Sequence, residues 1–378
     1  MTDASRAHAN VLTSFLDMDL PAMEALVGDL GQPSYRAKQI WRNVYGRAAI
    51  DFASMTNLPN LLRETLPSQL RILPADLVTQ QTSNDGTTTK TLLRLDDGEL
   101  VETVLMRYDP LGERRARKTV CVSTQAGCAM GCVFCATGAQ GLRRQLSASE
   151  ILLQVLVQAS IASAGATDRQ DAFPLTNVVF MGMGEPLANY DATHAALSRL
   201  TAPGAFGLSP RRITVSTVGL LPGMARLAQD HPQVNLAVSL HAPNDELRQS
   251  LVPVPGASVS EIVAAARQHV VKTGRRVSFE YVLLAGINDS PALAADLARL
   301  LRGINCHVNL IPNNPSEGVL GARPSHGAIE RFAGVLTEAG IQATVRVEKG
   351  HEILAACGQL RGDRVQSDPH IDRDDKLG

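Results

Sequence analysis

From about residue 115 onward, short β-branched runs alternate with amphipathic stretches of about 10 to 15 residues. That alternation is the mark of repeated βα units around a mainly parallel sheet. The runs "KTVCVS" (118–123), "NVVFMGM" (177–183), "RITVST" (212–217), "VNLAVSL" (234–240), "VSFEYVLL" (277–284), "HVNLIP" (307–312) and "ATVRVE" (343–348) read as strands. Helices are predicted between them. "SEILLQVLVQASIA" is entered through Ser147 and Glu150 at capping-box spacing, and "SPALAADLARLLRG" has Pro291 suited to a first helical position and Gly303 to the stop. The pattern predicts an α/β fold, a complete or partial (β/α) barrel.

Ahead of this region, residues 1 to about 75 are helix-like, and "TTTKTLLRLDDGELVETVLMRYD" (87–109) has the alternation of a β-hairpin turning at Asp97-Gly98. The expected organisation is a helical accessory domain over 1–75, a β-hairpin linker element over 76–113, a catalytic-type barrel over 114–358 and a disordered polar tail over 359–378. The charge and missing apolar periodicity of "GDRVQSDPHIDRDDKLG" motivate the tail.

No apolar run approaches the roughly 20 residues that a bilayer span requires, and "MTDASRAHAN" lacks a basic region followed by an apolar stretch. A cytoplasmic location without membrane attachment is the expectation. In a reducing compartment, six cysteines point to metal binding or catalysis rather than a disulfide framework. A formal net charge of -1 argues against a protein that coats nucleic acid indiscriminately, so any such site must be local.

Three of those cysteines, Cys128, Cys132 and Cys135, sit in "GCAMGCVFCATG" directly after the first barrel strand. Barrel active sites gather at the C-terminal ends of strands. Three thiolates on an iron–sulfur cluster leave one iron open to an exogenous ligand, whereas a structural zinc knuckle would need a fourth ligand from elsewhere. Other strand ends are also polar or glycine-rich. They are "MGMGEP" (181–186), "STVG" (216–219), "SLHAPND" (239–245) and "NNPSEG" (313–318). Gly182 and Gly184 would let backbone approach a ligand closely, and Glu185 would pair with an ammonium group. Ser216, Ser239, His241 and Asn314 suit a carboxylate or ribose, although each taken singly is as well read as a cap, turn or loop residue.

The CxxxCxxC spacing after the first strand resembles that of the radical S-adenosylmethionine (SAM) enzymes. More closely, "CVSTQAGCAMGCVFCATG", "FMGMGEPLANY", "VSLHAPNDELR", "NLIPNNP" and "AACGQL" together resemble the RlmN/Cfr family of radical SAM RNA methyltransferases, from the N-terminal helical region to about residue 362. The resemblance implies a partial (β/α)6 TIM-like barrel with an N-terminal helical RNA-recognition domain and a small β-hairpin element. It implies a [4Fe-4S] cluster on Cys128, Cys132 and Cys135, and S-adenosyl-L-methionine held by Gly184, Glu185, Ser216, Ser239, Leu240, His241 and Asn314.

By similarity, Cys357 receives a methyl group from one SAM molecule. A 5'-deoxyadenosyl radical from a second abstracts hydrogen from that methyl group, and the carbon radical adds to adenine. Cys121 then attacks the Cys357 sulfur, releasing product as a disulfide forms, and Glu102 accepts the ring proton. The implied substrates are carbon 2 of an adenine in 23S rRNA near the peptidyl-transferase centre, before full ribosome assembly, and an anticodon-loop adenine in tRNA. An electron donor such as flavodoxin is implied too.

Alternatives stay open at this level. "GHEI" before Cys357 is closer to the Cfr pattern, which targets carbon 8. The chain is also compatible with a non-catalytic iron–sulfur RNA-binding protein. Without the family, Cys121 reads as a core thiol, Cys357 as a packing residue and Glu102 as a solvent-facing strand position. Cys306 matches no motif and is expected in the core. Local RNA contacts are expected from Arg114, Arg115, Arg117, Lys118, Arg143, Arg144, Arg211 and Arg212.

Overall fold

The structure is a computed structural model that describes residues 12–110, 116–163, 173–254, 256–315, 319–346, 349–356 and 358–360. Ten strands form one sheet in chain order: β1 (Ala75–Thr82), β2 (Thr88–Leu95), β3 (Leu100–Tyr108), β4 (Arg117–Cys121), β5 (Asn177–Phe180), β6 (Ile213–Thr217), β7 (Asn235–Ser239), β8 (Val277–Leu283), β9 (Cys306–Pro312) and β10 (Ala343–Val345). From β4 to β10 the pairing is parallel throughout, and β1 to β4 pair antiparallel. All seven runs expected as barrel strands are strands. The hairpin turning at Asp97-Gly98 is β2–β3, and it gains β1 as a third strand.

Helices fill the βα connections. A single turn, α4 (Ala136–Ala139), follows the cysteine loop, and α5 (Ala148–Ser163), α6 (Tyr190–Thr201), α7 (Leu221–Asp230), α8 (Asp245–Leu251), α9 (Val259–Thr273), α10 (Pro291–Leu301) and α11 (His326–Glu338) come after it. The capping box is realised on α5, where Ser147 N–H donates to Glu150 Oε2 at 2.8 Å and Glu150 N–H to Ser147 Oγ at 3.2 Å. Helix α10 starts at Pro291 as expected, and Gly303 takes φ +74° just beyond its end.

Helix α5 is rich in apolar residues and buried on nearly every side. Its two amides, Gln154 and Gln158, spend themselves on sheet backbone. Gln154 accepts from Ser123 N–H at 2.8 Å and donates to Ser123 O at 2.9 Å, and Gln158 donates to Thr103 O at 3.1 Å. A helix with no polar face needs cover on its outer side as well. The N-terminal helices α1 (Leu20–Asp29), α2 (Tyr35–Arg47) and α3 (Asn60–Thr65) join the same continuous apolar core as the barrel strands and α5. Phe15, Trp41, Tyr45 and Phe206 pack in series across that contact with tilted and edge-on rings. Arg199 donates to Met18 O at 2.8 Å and to the Tyr45 hydroxyl at 3.0 Å, fixing the join.

Gln359 and Leu360, expected at the start of the polar tail, are instead buried. Thr137 Oγ1 donates to Leu360 O at 2.6 Å and Ala136 N–H to Gly358 O at 2.7 Å, so this stretch lies on the cysteine loop. Residues 361–378 lie outside the described residues. Cys306, at the head of β9, is in the core as expected.

Candidate active site

The barrel sheet twists its parallel strands so that the segments after β4 to β9 converge on one cavity. Its wall includes Cys128, Cys132 and Cys135, then Gly182, Gly184 and Glu185 after β5, Ser216 and Ser239 from β6 and β7, His241 after β7, and Asn314 after β9. Sequence positions nearly 190 apart therefore face one volume. Leu240 does not. Its side chain is in the main core, because alternation along β7 turns it away from Ser239 and His241, and its N–H is taken by Glu280 O at 3.0 Å.

The three cysteines are free thiols. Burial first, with backbone donation from Met130 N–H opposing and the charges of Cys135 and Glu185 adding, pushes Cys128 up to about 12. Cys132 is driven higher still by burial and by its two thiol neighbours. Bare thiolates so placed repel one another, and a cationic metal centre is the partner that makes them ionise. Among the described residues no three Cys, His, Asp or Glu side chains converge on a point for a single ion. An iron–sulfur cube takes each thiolate on a different iron and needs no such point. The donor set fits the cluster.

Glu185 is buried and heavily engaged. Its Oε2 accepts from Val218 N–H at 2.8 Å, its Oε1 from Leu187 N–H at 3.0 Å, and its own N–H donates to Gln125 Oε1 at 2.8 Å. Burial raises its pKa to about 7 against the pull of those two backbone donors. This carboxylate thus locks the β5 and β6 loops together while its remaining lone pairs border the cavity.

The glycines before it are also packed against the β4 loop. A Cβ on Gly182 would lie 2.7 Å from both Ser123 Oγ and Val122 O, and one on Gly184, at φ +100°, would lie 2.5 Å from Gln125 Cβ. Close approach of the β4 loop demands glycine at both, and both also line the cavity. Gly184→Ala is expected to destabilise the fold by roughly 2–4 kcal/mol, combining backbone strain with overpacking. Urea denaturation checks this, and an unchanged midpoint would contradict the clash.

His241 sits at φ +63°, a conformation that ordinary residues reach only under strain from their surroundings. Its Nδ1 accepts from Val282 N–H at 3.1 Å, Asn288 Nδ2 donates to its carbonyl at 2.9 Å, and Phe134 meets its ring edge-on at 4.7 Å. Burial, helped by Arg248, lowers its pKa to about 3. It is therefore a neutral imidazole whose proton sits on Nε2, a donor to whatever fills the cavity. Ser216 and Ser239 hydroxyls are 3.3 Å apart on adjacent strands.

Glu280 was missed at the level of sequence. It is buried in the wall with Asn309 Nδ2 donating to it at 2.7 Å, and burial raises its pKa against the charge of Arg346. A lone carboxylate inside the apolar run "VSFEYVLL" was the available signal. Arg346, Met181 and Thr137 also escaped notice because each needs the tertiary fold to reach the cavity.

A second cavity adjoins the first and shares Cys135, Met181, Asn314, Arg346 and Gly358 with it. Cys121 lines it, along with Val104, Met106, Tyr108, Ala355, Ala356 and Leu360. Cys357 lies outside the described residues, but both of its chain neighbours line this cavity. Glu102 is buried and paired with Lys90 Nζ at 3.0 Å, so it is not solvent-facing. It is not in the wall of either cavity, yet it belongs to the same strand face as Val104, Met106 and Tyr108 by the two-residue alternation of β3.

Of the expected basic contacts, Arg114 and Arg115 lie outside the described residues. Lys118 donates to Ala162 O at 2.9 Å, Arg143 pairs with Glu99 at 3.3 Å, and Arg144 is shared by Asp97 and Glu150. Those three have partners within the chain, and Arg143 stays half exposed. Arg211 is turned toward Gln233, and Arg212 is exposed.

Comparison with known proteins agrees with this arrangement. Residues 122–298 match the radical SAM superfamily, and residues 13–72 match the N-terminal domain of ribosomal RNA large subunit methyltransferases. The chain is 49% identical to a ribosomal RNA large subunit methyltransferase N of Nitrosopumilus maritimus, over 91% of this chain and 97% of that one. It is 44% identical to a probable dual-specificity RNA methyltransferase RlmN of Roseiflexus castenholzii, over 96% and 99%. A crystal structure of a radical SAM methyltransferase from Sphaerobacter thermophilus superposes with a TM-score of 0.84 at 49% identity, covering 93% of this chain and all of that one. No helix among the described residues is long and apolar enough to cross a membrane. With matching N-terminal and catalytic regions and a three-cysteine cavity at the mouth of the barrel, the chain belongs to the RlmN family of radical SAM RNA methyltransferases.

Proposed function

We propose that this enzyme methylates carbon 2 of an adenine in 23S rRNA, and of an anticodon-loop adenine in tRNA, through a methyl group carried on Cys357. One observation carries the reading: Ala356 and Gly358, on either side of Cys357, line the cavity that contains Cys121, beside the cavity with the three thiols. The family's [4Fe-4S] cluster and SAM supply, when bound, a methyl group and a 5'-deoxyadenosyl radical. Cys128, Cys132 and Cys135 would hold the cluster. Glu185, Ser216, Ser239, His241 and Asn314 would hold the amino acid and ribose parts of SAM, with the backbone at Gly184 and Leu240 alongside.

The second cavity then belongs to the base. Its apolar wall of Val104, Met106, Met181 and Leu360 excludes water from the carbon centre and suits an unstacked purine. Cys121 lines the same cavity as Ala356 and Gly358, and in this reading it exchanges with the Cys357 sulfur to release the product. Glu102, beyond Val104 on the same face, is the proton acceptor, and Lys90 orients its carboxylate. An electron donor such as flavodoxin serves the cluster.

Residues 1–75 are the RNA-recognition unit in this reading. Helix α2 carries Arg36, Lys38, Arg42 and Arg47 and no acidic side chain, a local excess of cations on a chain of near-zero net charge. The test is anaerobic incubation of reconstituted protein with unmodified 23S rRNA fragments and tRNA, followed by nucleoside mass spectrometry. 2-Methyladenosine in both RNAs is the expected product. 8-Methyladenosine would transfer the assignment to the Cfr reaction, and tRNA left unmodified would restrict the enzyme to rRNA.

A further inference from the structure

The second cavity is lined by Tyr108 at the outer end of β3, where Tyr108 and Arg117 are direct cross-strand partners. Alternation puts Glu102, Val104, Met106 and Tyr108 of β3 on one face, together with Arg117, Thr119 and Cys121 of β4. Tyr108 is thus the outermost member of the row that ends inside at Glu102. The Arg117 guanidinium lies over its ring, 4.2 Å from the centroid, and Lys349 Nζ lies 4.9 Å from the same centroid. Tyr108 and Lys349 line the cavity that holds Cys121, and Arg117, over the Tyr108 ring, is exposed.

Two cations held against one ring repel each other. Among the described residues no carboxylate forms an ion pair with either of them, and Lys349 feels Asp85 only at longer range. Among the described residues the Tyr108 hydroxyl is spent only on the Met106 sulfur, 3.6 Å away. An anion with several oxygen acceptors would relieve the repulsion and take both charges, and the tyrosine hydroxyl with them. Four residue-to-residue steps along the strand take Arg117 to Cys121, about 13 Å at ~3.3 Å per step. That is too far to touch a base reacting beside Cys121 and suits the backbone that such a base drags behind it.

Resting on the reading above, we propose that Arg117 and Lys349, pre-oriented by Tyr108, form a seat for the RNA phosphodiester next to the adenine that enters the Cys121 cavity. It positions the flipped nucleotide and supplies sequence-independent affinity at the active-site mouth. This contact is distinct from the α2 cations and from the SAM-holding residues.

The test uses the full-length reconstituted protein and a fluorescein-labelled transcript of the peptidyl-transferase hairpin, with Kd measured across a KCl series. Arg117→Gln and Lys349→Gln are each expected to weaken binding roughly three- to tenfold at low salt and to reduce the slope of log Kd against log[KCl] by about one. Arg117→Lys should restore the slope. Tyr108→Leu should weaken binding through both cations, and the double Arg117→Gln/Lys349→Gln variant should remove no more slope than the two single changes combined. Melting curves confirm folding, and Lys349→Gln lies outside every regular element, so one informative variant remains if a strand substitution unfolds the chain. Folded variants with the wild-type Kd and slope would overturn the seat. Wild-type protein that binds the hairpin through these residues but leaves it unmethylated would keep the seat and overturn the proposed reaction instead.

Discussion

Cys121→Ala protein, reconstituted and supplied with SAM, reductant and RNA, is expected to stop with RNA covalently attached and to release no methylated product. In the proposed sequence, addition to the base leaves the Cys357 sulfur bonded to the new carbon. Release requires a second sulfur to attack, forming an S–S bond as the C–S bond breaks. In the proposal Cys121 is that thiol. It lies on β4 in the wall of the cavity that Ala356 and Gly358 also line, among Val104, Met106 and Leu360, and the other described thiols outside the cluster loop reduce to Cys306 in the core. A shifted band on denaturing gels that RNase trims to a mass of protein plus nucleotide is the expected signature. Multiple turnovers with free product would remove Cys121 from the mechanism.

Cys132→Ala is expected to give a colourless protein whose RNA methylation falls to background, with its fold intact. The cysteine loop lies over the cavity, outside the main apolar core, and is pinned by backbone hydrogen bonds such as Val133 N–H to Leu251 O at 3.1 Å, which the substitution leaves in place. Two thiolates hold an iron–sulfur cube poorly, so iron and labile sulfide should be lost together, while the melting temperature stays near that of the cluster-free parent. Cys306→Ala supplies the contrast. That thiol fills core space at the head of β9, so its removal should cost about 1 kcal/mol and spare the brown colour and the activity. Iron retained by Cys132→Ala, or lost by Cys306→Ala, would move the cluster elsewhere.

The sequence by itself determined the barrel strands, because each is a β-branched run bounded by turn or cap residues, and local pattern suffices for local structure. It determined the cysteine loop as well, since three thiols within eight residues stay neighbours in any compact arrangement. The glycines of "MGMGEP" were legible as special positions, but their packing was not. Only the packed β4 loop shows that Ser123 and Gln125 occupy the space of a side chain at Gly182 and Gly184. Leu240 illustrates the same limit, because a motif reads as a string while a strand end points alternate residues in opposite directions.

Long-range partners were decided by the tertiary structure alone. Glu102 pairs with Lys90 from the next strand, Glu280 faces Asn309 and Arg346, and Lys118, Arg143 and Arg144 are engaged in contacts made 44, 44 and 47 residues away along the chain. The Tyr108 stack likewise combines residues from β3, β4 and the segment after β10. Hydrophobic periodicity records which face of an element is buried, but carries no record of what the burial brings opposite it. Charge pairing and cavity shape depend on that second fact, so the chemistry of the cluster loop could be read from the chain and the surroundings of the reacting base could not.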